Sequence, residues 1–202
     1  MKHLIYSIAF LSLFSTSVTH AQLQGDQNFE ISWNVGFPDL GISNRITETS
    51  LRGIEFQYSY FLSSNFNLGI KGGWSIFNQT RYNDTYQLEA GAITATVWNY
   101  VQVFPLQVTG RYFYNPDSRI KLFGGGGLGV TFTNKEVWVG ILDFVDNGGR
   151  FSVYPELGIN IPMGMRAFLN VAGTYNFVLD KDFNDGHFSY WGVSLALGWL
   201  SN

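Results

Sequence analysis

In the segment NFEISWNVGF, Phe29, Ile31, Trp33, Val35 and Phe37 alternate with Glu30, Ser32, Asn34 and Gly36. The same two-residue period returns along most of the chain. A strand turns successive side chains to opposite faces, so the period predicts strands with one bulky apolar face and one small, polar face. GIEFQYSYF sets Ile54, Phe56, Tyr58 and Tyr60 against Gly53, Glu55, Gln57 and Ser59. FNLGIKGGWSI sets Phe66, Leu68, Ile70, Trp74 and Ile76 against Asn67, Gly69, Lys71, Gly73 and Ser75. WGVSLALGW closes the series with Val193, Leu195, Leu197 and Trp199 opposite Gly192, Ser194, Ala196 and Gly198.

Eight segments follow this pattern: 28–37, 51–61, 66–76, 98–113, 120–133, 151–161, 166–176 and 188–200. The fourth changes parity, because Val101 and Val103 flank Gln102 whereas Leu106, Val108 and Tyr112 flank Gln107, Thr109 and Arg111. A bulge near Phe104-Pro105 is expected there, since a bulge tolerates proline. The connections alternate in length. LSSN (62–65), NPDS (115–118) and PMGM (162–165) are tight turns, whereas 38–50, 77–97, 134–150 and 177–187 are long and polar. Alternating short and long connections predict an all-β, closed, antiparallel up-and-down barrel of about eight strands.

Which face meets which solvent separates two such barrels. A soluble one buries its large apolar residues and exposes charge. Here only 13% of the residues are charged while 17% are aromatic, against roughly 25% charged in ordinary soluble domains. Small residues fit the inside of a narrow barrel and bulky ones do not, so the apolar face points outward, into lipid. Hydrocarbon tolerates no unpaired backbone, which requires the sheet to close. Tyr and Trp near strand ends (Tyr58, Tyr60, Trp74, Tyr112, Trp191, Trp199 among them) suit aromatic girdles at the two interfaces.

The N-terminus agrees. MKHLIYSIAFLSLFSTSVTHAQ has a basic start, an apolar run from Leu4 to Phe14, and a small-x-small ending at Thr19-His20-Ala21. This reads as a cleaved signal peptide over 1–21, too short for a membrane span, leaving 22–202 as a single barrel domain. The chain has no cysteine, hence no disulfide and no thiolate metal site, and its formal net charge of -3 gives no reason to expect nucleic acid.

VQVFPLQVTGRYFY, IKLFGGGGLGVTF, FSVYPELGINIP and the closing GVSLALGWL resemble the Gram-negative outer-membrane β-barrel proteins of the eight-stranded OmpA/OmpX-like type, over the whole chain after the signal. The resemblance implies periplasmic termini, four extracellular loops, contact with outer-membrane lipids and lipopolysaccharide, and insertion by the barrel-assembly machinery. The C-terminal segment departs from the family's insertion signal by ending in Ser201-Asn202 where a terminal Phe stands in the family.

Candidate chemistry is sparse. Glu30, Glu55, Lys71, Arg111, Lys121 and Glu156 share the inward face, three acids against three bases. In a barrel this narrow they are expected to form a structural network of ion pairs; a gated ion path, and with it a narrow porin-like channel, is the functional alternative. His187-Phe188-Ser189 matches the His-x-Ser of a lipid A-modifying hydrolase, but no acid follows Ser189 to orient the imidazole. DKDFNDGH (180–187) resembles a calcium loop, yet its glycine falls one place late and Trp191 stands where a bidentate Glu is required. Gly124, Gly126 and Gly129 fit a dinucleotide fingerprint, but Val130-Thr131-Phe132 continue a strand where a helix must begin. The glycines are instead expected to make room inside the barrel. No catalytic residue, metal or cofactor is expected.

Overall fold

The computed structural model describes residues 25–42, 46–88, 91–139, 142–179 and 187–201. The expected signal segment and most of the calcium-like loop lie outside the described residues. The strands are β1 (Gln27–Pro38), β2 (Ser50–Ser63), β3 (Phe66–Leu88), β4 (Gly91–Phe113), β5 (Lys121–Val139), β6 (Leu142–Pro162), β7 (Ala167–Leu179) and β8 (His187–Ser201). Each pairs antiparallel with its chain neighbour, and β8 returns to β1 from Gln27↔Ser201 to Pro38↔Tyr190, closing the barrel.

The outward face carries the bulky residues that the period assigns to it. Ile31, Phe56, Ile70, Leu106, Leu128 and Leu195 form a continuous apolar belt. Aromatic residues frame it: Phe29 and Trp199 pack edge to face near the short turns, and Trp74 and Phe104 stack near the opposite end. Phe29 to Phe37, Phe104 to Tyr112 and Gly124 to Phe132 each span eight residues. At about 3.4 Å per residue and about 40° of tilt, that is about 21 Å along the barrel axis, close to the apolar band of a membrane barrel.

Two expected loops are strands. Residues 77–88 and 91–97 continue the β3–β4 ladder, with a register shift between Arg81 and Asp84, and residues 134–139 and 142–150 continue the β5–β6 ladder, from Phe66↔Tyr112 to Leu88↔Gly91 and from Lys121↔Asn160 to Val139↔Leu142. Their polarity reads as loop only if one face must meet lipid. Past the belt both faces meet water or protein, so strand and polarity coexist. β2 accompanies β3 only as far as Ile76, and β7 accompanies β6 only as far as Ser152. Beyond those rows β3–β6 form a four-stranded sheet as far as the row of Arg81, Val97, Val139 and Leu142, and the β3–β4 hairpin continues alone to Leu88 and Gly91, about 25 Å past the belt in all.

β4 has no bulge at Phe104-Pro105. Its ladder with β5 runs without interruption from Val97↔Val139 to Phe113↔Phe123. Val101 and Val103 are buried at 3% and 0% exposure, so the apparent parity change is a change in what fills the interior. Proline instead leaves a gap in the other ladder: β3–β4 pairing passes from Gly72↔Leu106 to Ser75↔Val103. Pro155 does the same between β6 and β7, where pairing passes from Ser152↔Val178 and Val153↔Phe177 to Glu156↔Thr174. A missing N–H removes one ladder bond each time.

The interior is layered, contrary to the expectation of uniformly small, polar filling. Near the short turns Phe61, Phe113, Phe123 and Ala172 form one apolar layer. Near the projecting sheet Ile42, Ile46, Phe77, Val103, Phe188 and Tyr190 belong to another. Inward glycines offset this bulk: a Cβ on Gly158 would lie 2.5 Å from the Phe123 ring, and one on Gly198 would lie 2.2 Å from Phe168. Phe113→Ala empties the centre of the first layer and is expected to cost about 3–5 kcal/mol, read as a lower urea midpoint in lipid vesicles.

Candidate functional site

Between the two apolar layers lies a band of buried polar residues built from alternate positions of every strand. Arg111 on β4 is its centre. Its Nε donates to Glu156 Oε2 at 3.0 Å and its Nη2 to Glu156 Oε1 at 2.8 Å, the two-pronged geometry a guanidinium favours. Nη1 donates to Glu30 Oε1 at 2.6 Å, and the Asn28 amide reaches the same oxygen at 2.7 Å. The guanidinium also rests 4.9 Å from the Phe123 ring, which joins the polar band to the apolar layer beneath it.

A second ion pair sits beside the first. Lys71 Nζ lies 3.9 Å from Glu55 Oε2 and 3.5 Å from the centre of the Tyr154 ring. Asn34 Nδ2 donates to Glu55 Oε1 at 2.9 Å. Farther round, Gln107 donates to the Ser152 hydroxyl at 3.0 Å, and Thr131 and Ser152 lie 2.8 Å apart. The ionised groups are 3–6% exposed. Charge so deeply buried is tolerated only with close, hydrogen-bonded partners.

The structure brings five of the six expected interior charges together. Glu30, Arg111 and Glu156 form one group, and Glu55 and Lys71 the other. Lys121 points inward and is 3% exposed, but it stands apart, at the first residue of β5 beside Asn160. The charges acting on it are those of Asp117 and Asp26, at the short-turn end. Alternation places a residue on a face but not at a height, and height separates Lys121 from the rest. Sequence reasoning also missed Lys135, which bonds Asp146 at 3.2 Å on the β5–β6 hairpin, in a stretch expected to be loop.

The glycine run is strand β5. A Cβ on Gly125 would lie 2.3 Å from the Gly110 carbonyl oxygen and 3.0 Å from Arg111 Cα. One on Gly127 would lie 2.6 Å from both the Tyr154 ring and the Val108 carbonyl oxygen. The inward glycines are therefore the floor under Arg111 and Tyr154. On the outer surface Tyr114 covers Gly124, 3.3 Å from where its Cβ would be.

The His-x-Ser pair shows no hydrolase geometry. Ser189 is 0% exposed, and its Oγ lies 2.9 Å from the Tyr175 hydroxyl, which is also 3.1 Å from Asp39 Oδ2. The His187 ring packs on Phe177, with 4.9 Å between centres. With Asp39 N–H donating to the Ser189 carbonyl and Ser189 N–H donating to that of Leu40, these groups tie the β1–β2 connection to β8. Among the described residues no group of three or more His, Cys, Asp or Glu is placed to hold a metal ion.

No family model and no curated protein matches this chain in sequence. Solved structures do match in shape. Ail, the attachment invasion locus protein of Yersinia pestis, in complex with the heparin analogue sucrose octasulfate, superposes with a TM-score of 0.55 at 10% identity, covering 89% of this chain and 100% of that one. The outer membrane protein OprG of Pseudomonas aeruginosa gives 0.52 at 12% identity over 90% and 100%. The N-terminal β-barrel domain of Pseudomonas aeruginosa OprF gives 0.51 at 11% identity over 89% and 100%. The chain has the fold of the eight-stranded Gram-negative outer-membrane β-barrels.

Proposed function

We propose that this chain is an integral outer-membrane protein without enzymatic activity, in which a filled barrel anchors a projecting sheet used for surface recognition. The observation that carries this reading is the combination of a stopped interior with β3–β6 extended past the belt. The interior is crossed by an apolar layer, a band of ion pairs and a second apolar layer. An eight-stranded barrel is just wide enough to be filled by side chains. Its polar groups therefore serve closure, and what varies for recognition is outside. Beyond the belt the sheet presents Trp98 and Trp138 side by side, 43% and 47% exposed, and Tyr82 at 79%. Exposed aromatic side chains on a rigid sheet supply contact area at small entropic cost.

Membrane fractionation with boiled and unboiled gel samples tests the anchor: the protein is expected in the outer-membrane fraction, migrating differently before heating. A soluble product without that shift overturns the reading. In planar bilayers the folded protein is expected to give no stepwise single-channel conductance; reproducible steps would make it a channel. Lipid A analysed by mass spectrometry is expected to be unchanged by expression of the protein. Shortening both hairpins, by removing 80–97 and 136–145, is expected to leave heat-modifiability intact, because the barrel rows below do not use those residues.

A further inference from the structure

Arg52 of β2 is exposed on the outer surface and takes no part in the interior network. A register shift between Asn34 and Gly36 sets Leu51 and Arg52 of β2 against the single residue Val35 of β1. Leu51 and Arg52 are both exposed on the outside of the barrel. The irregularity is held in place by hydrogen bonds: Trp33 Nε1 donates to the Leu51 carbonyl at 2.8 Å, the Arg52 N–H to Ser50 Oγ at 3.3 Å, and the Ser50 hydroxyl to the Ile76 carbonyl. Bulges re-aim side chains. This one brings a guanidinium to the outer surface where the apolar belt ends.

Arg52 stands two residues from Ser50, the upper end of β2, and its ladder partner Ile76 is followed on the outward face of β3 by the exposed, polar Asn78. Below Arg52 runs a groove of about 220 Å³ whose walls are Trp33 and Trp74 and whose floor includes Ile54 and Ile76. Among the described residues no carboxylate pairs with Arg52. Across the Trp74–Phe104 stack lies a second groove, of about 380 Å³, with Asn134 and Asn147 at its rim and no charged residue in its lining.

We propose that the first groove binds a phosphorylated lipid of the surrounding membrane, with its phosphate on Arg52 and an acyl chain lying between Trp33 and Trp74. This rests on the membrane reading above. Arginine suits phosphate because its planar fork donates two parallel hydrogen bonds. The apolar walls suit a chain, and the height suits a headgroup at the interface. A protein partner is disfavoured, because the groove opens on the belt, where hydrocarbon lies. The second groove is larger, also faces the belt and carries no charge, and serves as the internal control.

The test is native mass spectrometry of the full barrel released from neutral detergent micelles, titrated with diphosphoryl lipid A, with the same lipid dephosphorylated, and with inorganic phosphate. The wild type is expected to retain one diphosphoryl lipid, to retain the dephosphorylated lipid about tenfold less, and to keep the lipid in millimolar inorganic phosphate. Arg52→Gln is expected to lose about tenfold in retention and Arg52→Lys less, while Asn147→Ser leaves it unchanged. Equal retention by wild type and Arg52→Gln, or of the two lipid forms, overturns the proposal, as does displacement by inorganic phosphate alone. Each sample is also run unboiled. A wild type that shows the heat shift yet retains no lipid overturns the groove proposal only, whereas absence of the shift overturns the membrane reading itself.

Discussion

Replacing Arg111 with methionine is expected to destabilise the barrel more than any other single change in the polar band, by about 3–5 kcal/mol. Methionine keeps an apolar stem and removes the guanidinium, so the loss is chiefly electrostatic. Arg111 supplies three of the hydrogen bonds to Glu30 and Glu156, both buried to within a few per cent of full exclusion. Without it, Glu30, Glu55 and Glu156 face Lys71 alone, and Lys71 is already engaged with Glu55 and the Tyr154 ring. An ion pair broken on one side leaves an unanswered charge in a medium that cannot solvate it. Urea titration of the protein refolded into vesicles reads the loss as a lower midpoint, and the unboiled gel reads it as a smaller folded fraction. The triple variant Arg111→Met, Glu30→Gln, Glu156→Gln separates charge from packing. Once the carboxylates are neutral, most of the lost stability is expected to return, because removing a whole buried cluster costs far less than removing half of it. A triple variant as unstable as the single one would show that Arg111 matters through its packing on Phe123.

The same contrast explains what was legible in the sequence. The barrel was, because a strand in lipid must be apolar on one side and cannot be on the other if it is to fill a narrow interior. That constraint acts at every second residue, so β1, β2 and β8 begin and end within two residues of the expected segments, and β7 within three. It stops acting where the membrane stops. Above Phe77, which still belongs to the upper apolar layer, the β3–β4 hairpin obeys no lipid-facing period, and backbone pairing continues to Leu88↔Gly91. Val101 and Val103 misled for a related reason. Apolar residues signal the lipid face in the belt, but above it the interior is sealed by an apolar layer with Phe77 and Tyr190, and the same residue type points inward. The six interior charges were readable by face. The grouping of five of them, with Lys121 apart, depends on strand stagger, which single strands do not encode.

Stagger also decides which glycines are indispensable, and Gly127→Trp is the sharpest test. The expected result is a chain that does not assemble, with no heat shift and little recovery in the membrane fraction. Gly127 sits between Thr109 on β4 and Tyr154 on β6. A first side-chain carbon there would meet the Val108 carbonyl oxygen and the Tyr154 ring, both at 2.6 Å. The ring can turn, but it is held against Lys71 at 3.5 Å and is only 2% exposed, so turning it dismantles the Lys71–Glu55 group as well. The carbonyl cannot move without breaking the sheet. Overpacking of this kind costs about 1–3 kcal/mol for a few added carbons, and an indole adds many more. Gly173→Trp is the control, since a Cβ at Gly173 has nothing within 4 Å. That residue faces outward, and the same bulky ring is expected to be accepted there with normal insertion and heat shift. If Gly127→Trp assembled as Gly173→Trp does, the interior would have to be looser than its contacts indicate, and the case for a stopped barrel would fall with it. The four consecutive glycines of β5 would then need a reason other than room for Arg111 and Tyr154.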